Sequence, residues 1–258
     1  MVNKYKIKRN KFGILSKYYD SARRGYPDEV FTYLKKIMKD KELKVLDIGC
    51  GTGISTRQLK KHKFNVIGVD KENKMIRVAK GKKDNIPYVV ASIDKLPFKD
   101  GEFDIITAFT AFHWFTDKKS VTEIKRVLKP DGLFFAALKK TAKPKSKRIK
   151  KLSSGQKRIL TKYLKKNANS ARDYKPEKTF RKYGFVKING KSFYITEKYS
   201  LNEALTLIKS TSSWNLLSGN LRSKFYGELE SLYRKNLING FVIRNREVKV
   251  VYGFKPKQ

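Results

Sequence analysis

The stretch Val45-Leu46-Asp47-Ile48-Gly49-Cys50-Gly51-Thr52-Gly53 joins a short apolar run to three glycines on alternate positions, and a helical pattern follows. A strand that ends in glycines lets the backbone turn tightly and come close to a ligand, because no Cβ stands in the way. The nicotinamide fingerprint requires glycine at position 54, where this chain has Ile54, so a dehydrogenase is the last of the readings considered.

Outward from that turn, apolar runs alternate with amphipathic stretches, the pattern of a parallel sheet covered by helices. Val45-Leu46-Asp47-Ile48 is followed by Val66-Ile67-Gly68-Val69-Asp70, by Tyr88-Val89-Val90-Ala91, by residues 103–109 and by Leu133-Phe134-Phe135-Ala136-Ala137-Leu138. Lys129-Pro130-Asp131-Gly132 reads as a turn that stops the preceding helix before the fifth strand. Helical spacing over 55–63, 72–80 and 118–128 supplies the crossovers, as with Val121, Ile124, Val127 and Leu128. Pro27 lies at the first turn of a further helix whose inner face is Val30, Phe31, Leu34, Ile37 and Met38. Beyond Leu138, lysine and arginine crowd into 139–182, where Asp173 and Glu177 are the acidic residues, and the segment reads as an exposed helical insertion. Strand-like alternation returns at 185–196 and 241–254, with helices between them.

Gly49-x-Gly51-x-Gly53, two residues after Asp47, resembles the first motif of class I S-adenosylmethionine-dependent methyltransferases. Later landmarks fall in the order that family uses: Asp70 ending the second strand, Ser92-Ile93-Asp94-Lys95-Leu96-Pro97-Phe98 after the third, Phe103-Asp104 opening the fourth, and Glu123-Ile124-Lys125-Arg126-Val127-Leu128-Lys129-Pro130-Asp131-Gly132-Leu133 entering the fifth. Tyr19-Asp20-Ser21-Ala22-Arg23-Arg24-Gly25-Tyr26-Pro27, Ala111-Phe112-His113-Trp114-Phe115 and Ser210-Thr211-Ser212-Ser213-Trp214 are similar to segments of the methyltransferase type 11 group, which includes trans-aconitate methyltransferase. The chain departs from that pattern at Arg24, where proline is common, and at Ser92, where an acidic residue is.

The resemblance implies an α/β fold: a Rossmann-like, seven-stranded, mostly parallel sheet with helices on both faces and helical insertions that form a substrate cap. It divides the chain into an N-terminal segment covering the cofactor cleft (1–39), a cofactor-binding core (40–138), the basic insertion (139–184) and the last two strands (185–258) with their inserted cap (201–237). It implies S-adenosylmethionine as cofactor, held by Arg23, Asp47, Gly49, Gly51, Gly53, Asp70, Ser92 and Ile93. Asp70 would accept both ribose hydroxyls, Arg23 would pair with the methionyl carboxylate, and Tyr18 or Tyr19 would lie over the sulfonium. Tyr19, Trp114 and Trp214 fall on the acceptor side. His113 is the histidine near the site and the candidate general base, needed for an amine, hydroxyl or carbon acid but not for a carboxylate. Asp47 alternatively only caps the turn, and Asp104, at the start of a strand, reads as structural.

Bulk properties narrow the remaining classes. A single cysteine, Cys50, rules out an intrachain disulfide, and with His62 and His113 the only histidines no metal-ligand cluster stands out. Cys50 reads as a packed small residue rather than a nucleophile. No apolar run reaches the ~18 residues of a membrane span, and the basic N-terminus lacks a signal peptide's apolar core, so a cytoplasmic protein without membrane attachment is expected. Sixty-one lysines and arginines against 23 acids give a net charge of +38, which either attracts nucleic acid nonspecifically or reflects compositional drift. A small-molecule acceptor is the leading expectation, with an RNA methyltransferase and a non-catalytic cofactor-binding module as alternatives. Neither an Asn/Asp-Pro-Pro-aromatic motif after the fourth strand nor a Pro-Cys nucleophile is present, which argues against exocyclic-amine and C5-cytosine chemistry.

Overall fold

The computed structural model describes residues 20, 23–39, 42–164, 174–211, 214 and 216–257. The five expected strands are β1 (Lys44–Ile48), β2 (Asn65–Asp70), β3 (Tyr88–Val90), β4 (Phe103–Phe109) and β5 (Leu128–Thr141), and β6 (Val186–Tyr199) and β7 (Val242–Phe254) complete the sheet. Their spatial order is β3-β2-β1-β4-β5-β7-β6. β1 runs parallel to β2 and β4, β2 to β3, and β4 to β5, whereas β7 is antiparallel to β5. This is the seven-stranded, mostly parallel sheet the sequence led one to expect. The near-continuous apolar runs are what strands buried on both faces require.

The chain divides into two compact units. One comprises Gly25–Ala142, Asn169–Ile195 and Arg246–Gln258 and contains β1 to β5 with most of β6 and β7. Successive residues of its strands point to opposite faces. Val45, Ile105, Phe109, Phe135 and Ala137 meet helices α1 (Asp28–Met38), α2 (Ile54–Lys61) and α3 (Asn73–Lys80) through Phe31, Leu34, Leu59 and Ile76. Leu46, Ile48, Ile106, Phe134 and Ala136 meet α4 (Lys118–Val127) and α6 (Pro176–Lys182) through Val121, Ile124 and Phe180. Both faces are thus covered.

The other unit, Met1–Arg24, Lys143–Ala168 and Thr196–Asn245, contains α5 (Lys147–Leu164), α7 (Leu201–Lys209) and α8 (Gly219–Arg234). Its own core gathers Leu152 and Ile159, Leu205 and Ile208, and Phe225, Leu229 and Tyr233. A capping box of Ser200 and Glu203 starts α7, satisfying two backbone donors that would otherwise be orphaned.

Two expectations differ from the structure. Lys129-Pro130-Asp131-Gly132 does not separate α4 from the fifth strand, because β5 begins at Leu128. The four residues form an excursion inside it: Phe103 pairs with Leu128 and Ile105 with Leu133. Asp131 sits at φ 54°, and backbone bonds from Asp131 N–H to Lys255 O and from Lys255 N–H to Gly132 O hold the excursion in the ladder. Pro27 likewise stands just before α1 as its N-cap residue, one position earlier than a first-turn proline. No helix among the described residues is long and apolar enough to cross a membrane.

Candidate active site

The strand order reverses between β1 and β4, and in open α/β sheets the crevice beyond the carboxyl ends of the strands at such a point is where ligands bind. Three segments converge there: the glycine turn after β1, the end of β2, and the turn after β4.

Gly49, Gly51 and Gly53 all have positive φ, at 65°, 57° and 79°. Gly53 also tolerates no side chain, since a Cβ there would lie 2.5 Å from the Tyr88 hydroxyl oxygen. Asp47 lies behind this turn. It is fully buried, and its carboxylate accepts from Ser55 Oγ at 2.8 Å, Thr56 Oγ1 at 2.7 Å and Thr107 Oγ1 at 2.8 Å. That arrangement ties β1 to the first turn of α2 and to β4, so Asp47 has no open side for a ligand and positions the turn instead. Burial pushes its carboxyl up to about 6, against the three hydroxyl donors. Cys50 is buried and its thiol is raised well above its ordinary value, by burial first and then by Asp47 and Asp70, which suits a packing residue and not a nucleophile.

At the end of β2, Asp70 is a different kind of carboxylate. Its Oδ2 accepts from Gly51 N–H and its Oδ1 from Glu72 N–H, both at 2.9 Å, and it is only partly buried. Burial raises its pKa, with the two backbone donors opposing. After β3, Ser92 is exposed and donates to Asp94, while Ile93 is half-buried against the sheet core. This loop is clamped by a pair the sequence reading did not nominate. Arg126 donates to the carbonyls of Leu96 (3.1 Å) and Phe98 (2.8 Å) and to Asp100, while Glu123, itself bonded to Arg126, accepts from Leu96 N–H at 2.7 Å.

The turn after β4 begins at Thr110, a β-branched residue at φ 53°. Three hydrogen bonds pin it: its N–H to Ala137 O at 2.6 Å, its hydroxyl shared with Tyr26 Oη at 2.8 Å, and Lys139 N–H to Oγ1 at 3.2 Å. Tyr26 is held in turn by Gln58, which accepts from its N–H and donates to its carbonyl. Tyr26, Gln58, Thr110 and Lys139 therefore join the segment before α1 to the mouth of the crevice. Tyr26 stood inside a recognised segment, but nothing in the local sequence marked Gln58, Thr110 or Lys139. A small pocket follows, lined by Thr110, Ala111, Phe112, His113 and, from other segments, Leu138 and Tyr174. Burial lowers the His113 imidazole to about 4. Trp114, next along, is 45% exposed.

Two nominated residues belong to the helical unit. Arg23 donates to the Ser210 carbonyl at 3.3 Å, and Trp214 packs against Phe225 and Tyr226 with the Arg222 guanidinium over its ring. Tyr18 and Tyr19 lie outside the described residues. No group of His, Cys, Asp and Glu able to hold a metal occurs among the described residues.

Comparison with known proteins agrees with this geometry. The family model for a methyltransferase domain matches residues 46–136, the span from β1 through most of β5. An uncharacterized protein of Methanocaldococcus jannaschii is 34% identical over 176 residues, covering 60% of this chain and 67% of the relative. Among solved structures, a protein of Anaeromyxobacter dehalogenans assigned as a type II methyltransferase superposes with a TM-score of 0.63 at 21% identity, over 92% of this chain and 99% of its own. A phosphoethanolamine N-methyltransferase of Haemonchus contortus, solved with phosphomonomethylethanolamine and S-adenosylhomocysteine, gives 0.52 at 21% identity over 97% and 58%. The chain belongs to the methyltransferases, with its methyltransferase domain on the Rossmann-like sheet.

Proposed function

We propose that the chain binds S-adenosylmethionine in the crevice beyond β1, β2 and β4 and transfers its methyl group to a small-molecule acceptor. The observation that carries the cofactor reading is Asp70. Its carboxylate is oriented by the Gly51 and Glu72 N–H groups and, being partly exposed, keeps lone pairs for two ribose hydroxyls. Gly49, Gly51 and Gly53, all at positive φ, offer a side-chain-free turn beside it. Ser92 and Ile93 would flank the adenine. Asp47 acts through the turn and touches no ligand.

S-adenosylmethionine supplies an electrophilic methyl group, so the protein's work is orientation and exclusion of water. No side chain has to become covalently attached. His113 is a poor general base in its present surroundings: an imidazole held near 4 is neutral at pH 7 but weakly basic, and Brønsted behaviour penalises so large a mismatch. We assign it to hydrogen bonding on the acceptor side, beside Trp114. An acceptor that arrives with a free lone pair, such as a carboxylate, then needs no base. The Haemonchus enzyme's small substrate supports this class of acceptor by analogy of fold alone.

Calorimetric titration with S-adenosylhomocysteine and with NAD tests the reading. Binding of the first and not the second is expected, and Asp70→Ala should weaken it at least about tenfold, because a hydrogen bond to a charged group is worth ~1.5–3 kcal/mol. NAD binding of similar strength, or an unchanged affinity in the folded variant, overturns the assignment.

A further inference from the structure

We infer that the outer face of α5 is a docking surface for the phosphate backbone of a nucleic-acid duplex, an inference independent of what the acceptor is. α5 carries seven cations in its 18 residues and no carboxylate. At 100° per residue six of them, all but Arg148, lie away from the centre of its buried face. Ile149, Leu152, Gly155 and Ile159 turn inward, and Gly155 lets Leu232 of α8 come so close that a Cβ would lie 2.7 Å from it. Lys147, Lys150, Lys151, Lys157, Arg158 and Lys162 are exposed on the other side.

Few of these charges are used within the unit. Lys162 pairs with Glu228, whose carboxylate Arg158 also attracts at longer range, and Arg148 donates to the Leu237 carbonyl at 3.2 Å. No carboxylate lies within ion-pair distance of Lys147, Lys150, Lys151, Lys157 or Arg158 among the described residues. The arrangement also works against the helix itself. Lys147, Arg148 and Lys150 stand in its first turn, where the macrodipole favours anions at ~0.3–1 kcal/mol each. Lys147 with Lys151 and Arg158 with Lys162 are like-charged i,i+4 pairs, each unfavourable by ~0.2–0.5 kcal/mol. α2 and α3 each carry three cations and no carboxylate over 8 residues, but among the described helices only α5 extends such a run over 18, and α8 in the same unit balances three cations with two carboxylates.

The chemistry of the face selects the occupant. A helix of 18 residues spans ~27 Å, and a duplex presents one negative charge per ~1.7 Å of axis, so a line of cations can follow the backbone over several phosphates. Ser154 and Thr161 fill the gaps between the cations, and the exposed face carries no aromatic ring on which an unpaired base would stack. It also carries no apolar side chain to enter a bilayer, because the helix's apolar face is occupied by its own core.

The test is fluorescence anisotropy of the full chain with a labelled 20-base-pair RNA hairpin, a DNA duplex of the same length and a single strand, across about 50–300 mM salt. Replacing Lys150, Lys151, Lys157 and Arg158 by Gln should weaken duplex binding at least tenfold and flatten the salt slope by ~3–4, near 0.9 for each phosphate no longer neutralised. An equal neutralisation on α2 and α3, Lys60, Lys74, Arg77 and Lys80 to Gln, should change affinity less than twofold. Lys150→Arg with Lys151→Arg and Lys157→Arg should bind as the unaltered chain does, which separates lost charge from lost folding. Equal weakening by both Gln sets means that binding follows the diffuse +38 and removes α5 as a site. Preference for the single strand, or tighter binding to phosphatidylserine vesicles than to either duplex, also overturns the proposal. S-adenosylhomocysteine affinity measured on the same samples reads the methyltransferase assignment separately.

Discussion

The turn after β1 and the turn after β4 flank the same crevice but are built by opposite means. The first is a backbone device: positive φ at three glycines, a buried carboxylate behind them, and Asp70 receiving the Gly51 N–H. The second is a side-chain device, in which Thr110 takes a positive φ without being glycine because Tyr26, Lys139 and Ala137 hold it there. A ligand gripped by backbone constrains residue type at fixed spacing, which a sequence displays. A pocket assembled from distant side chains constrains shape, which it does not display. The two turns touch at Gly49, where a Cβ would lie 2.7 Å from Ala111 Cβ and 3.2 Å from Phe115 Cε1. The largest effect is therefore expected from Gly49→Ala, combining left-handed strain of ~1–2 kcal/mol with overpacking of ~1–3 kcal/mol. Urea unfolding should show a loss of ~2–5 kcal/mol, and the double variant with Ala111→Gly should recover the overpacking part but not the strain. A double variant no more stable than the single one would mean that the two turns do not touch.

This difference also explains what was legible beforehand. The strands, the crossover helices and the glycine turn followed from periodicity and from residues that only one conformation suits. Asp47 was visible but its facing was not. Whether a carboxylate points at a ligand or at Ser55, Thr56 and Thr107 depends on hydroxyls from two other elements. The Glu123–Arg126 clamp and the Gln58–Tyr26 pair are ordinary surface residue types until the fold brings their partners across from 26 or more positions away. The excursion at residues 129–132 was misplaced for a similar reason: Pro, Asp and Gly mark a turn locally, and only pairing with β4 and Lys255 keeps it within a strand.

A second expectation contrasts the titratable group behind each turn. Asp47 is raised from 3.8 to about 6, so the stability it contributes is fully present below about pH 4 and lost as pH rises through about 6. His113 is lowered from 6.5 to about 4, so its contribution is present above about 6.5 and lost as pH falls through about 4. Between pH 4 and 6 the two slopes oppose each other, each worth up to ~3 kcal/mol at 1.36 kcal/mol per unit. Asp47→Asn should unmask a stability that rises with pH by ~1–3 kcal/mol across this window, and His113→Gln one that falls. Thermal unfolding at half-unit pH intervals checks both. If neither variant changes the slope of the unaltered protein, neither group is shifted by its burial.

The smallest effect separates strain from hydrogen bonding at Thr110. Thr110→Val keeps a β-branched side chain at φ 53° but deprives Tyr26 Oη and Lys139 N–H of their partner. Thr110→Gly loses the same two bonds and also releases the left-handed strain of ~1–2 kcal/mol, less the ~0.5–1 kcal/mol that glycine's extra freedom costs in the unfolded chain. Both variants should be less stable than the unaltered protein, by ~1 kcal/mol for each bond lost, with glycine the better of the two by ~0.5–1 kcal/mol. The comparison is made within the pair, so the shared loss of hydrogen bonds cancels and the remainder reports the backbone alone. A valine variant as stable as the glycine variant would mean that the positive φ at the end of β4 stores nothing. In that case the turn after β4 would be held by its side chains with no opposing backbone force, and the contrast with the glycine turn would lie in residue type rather than in conformational cost.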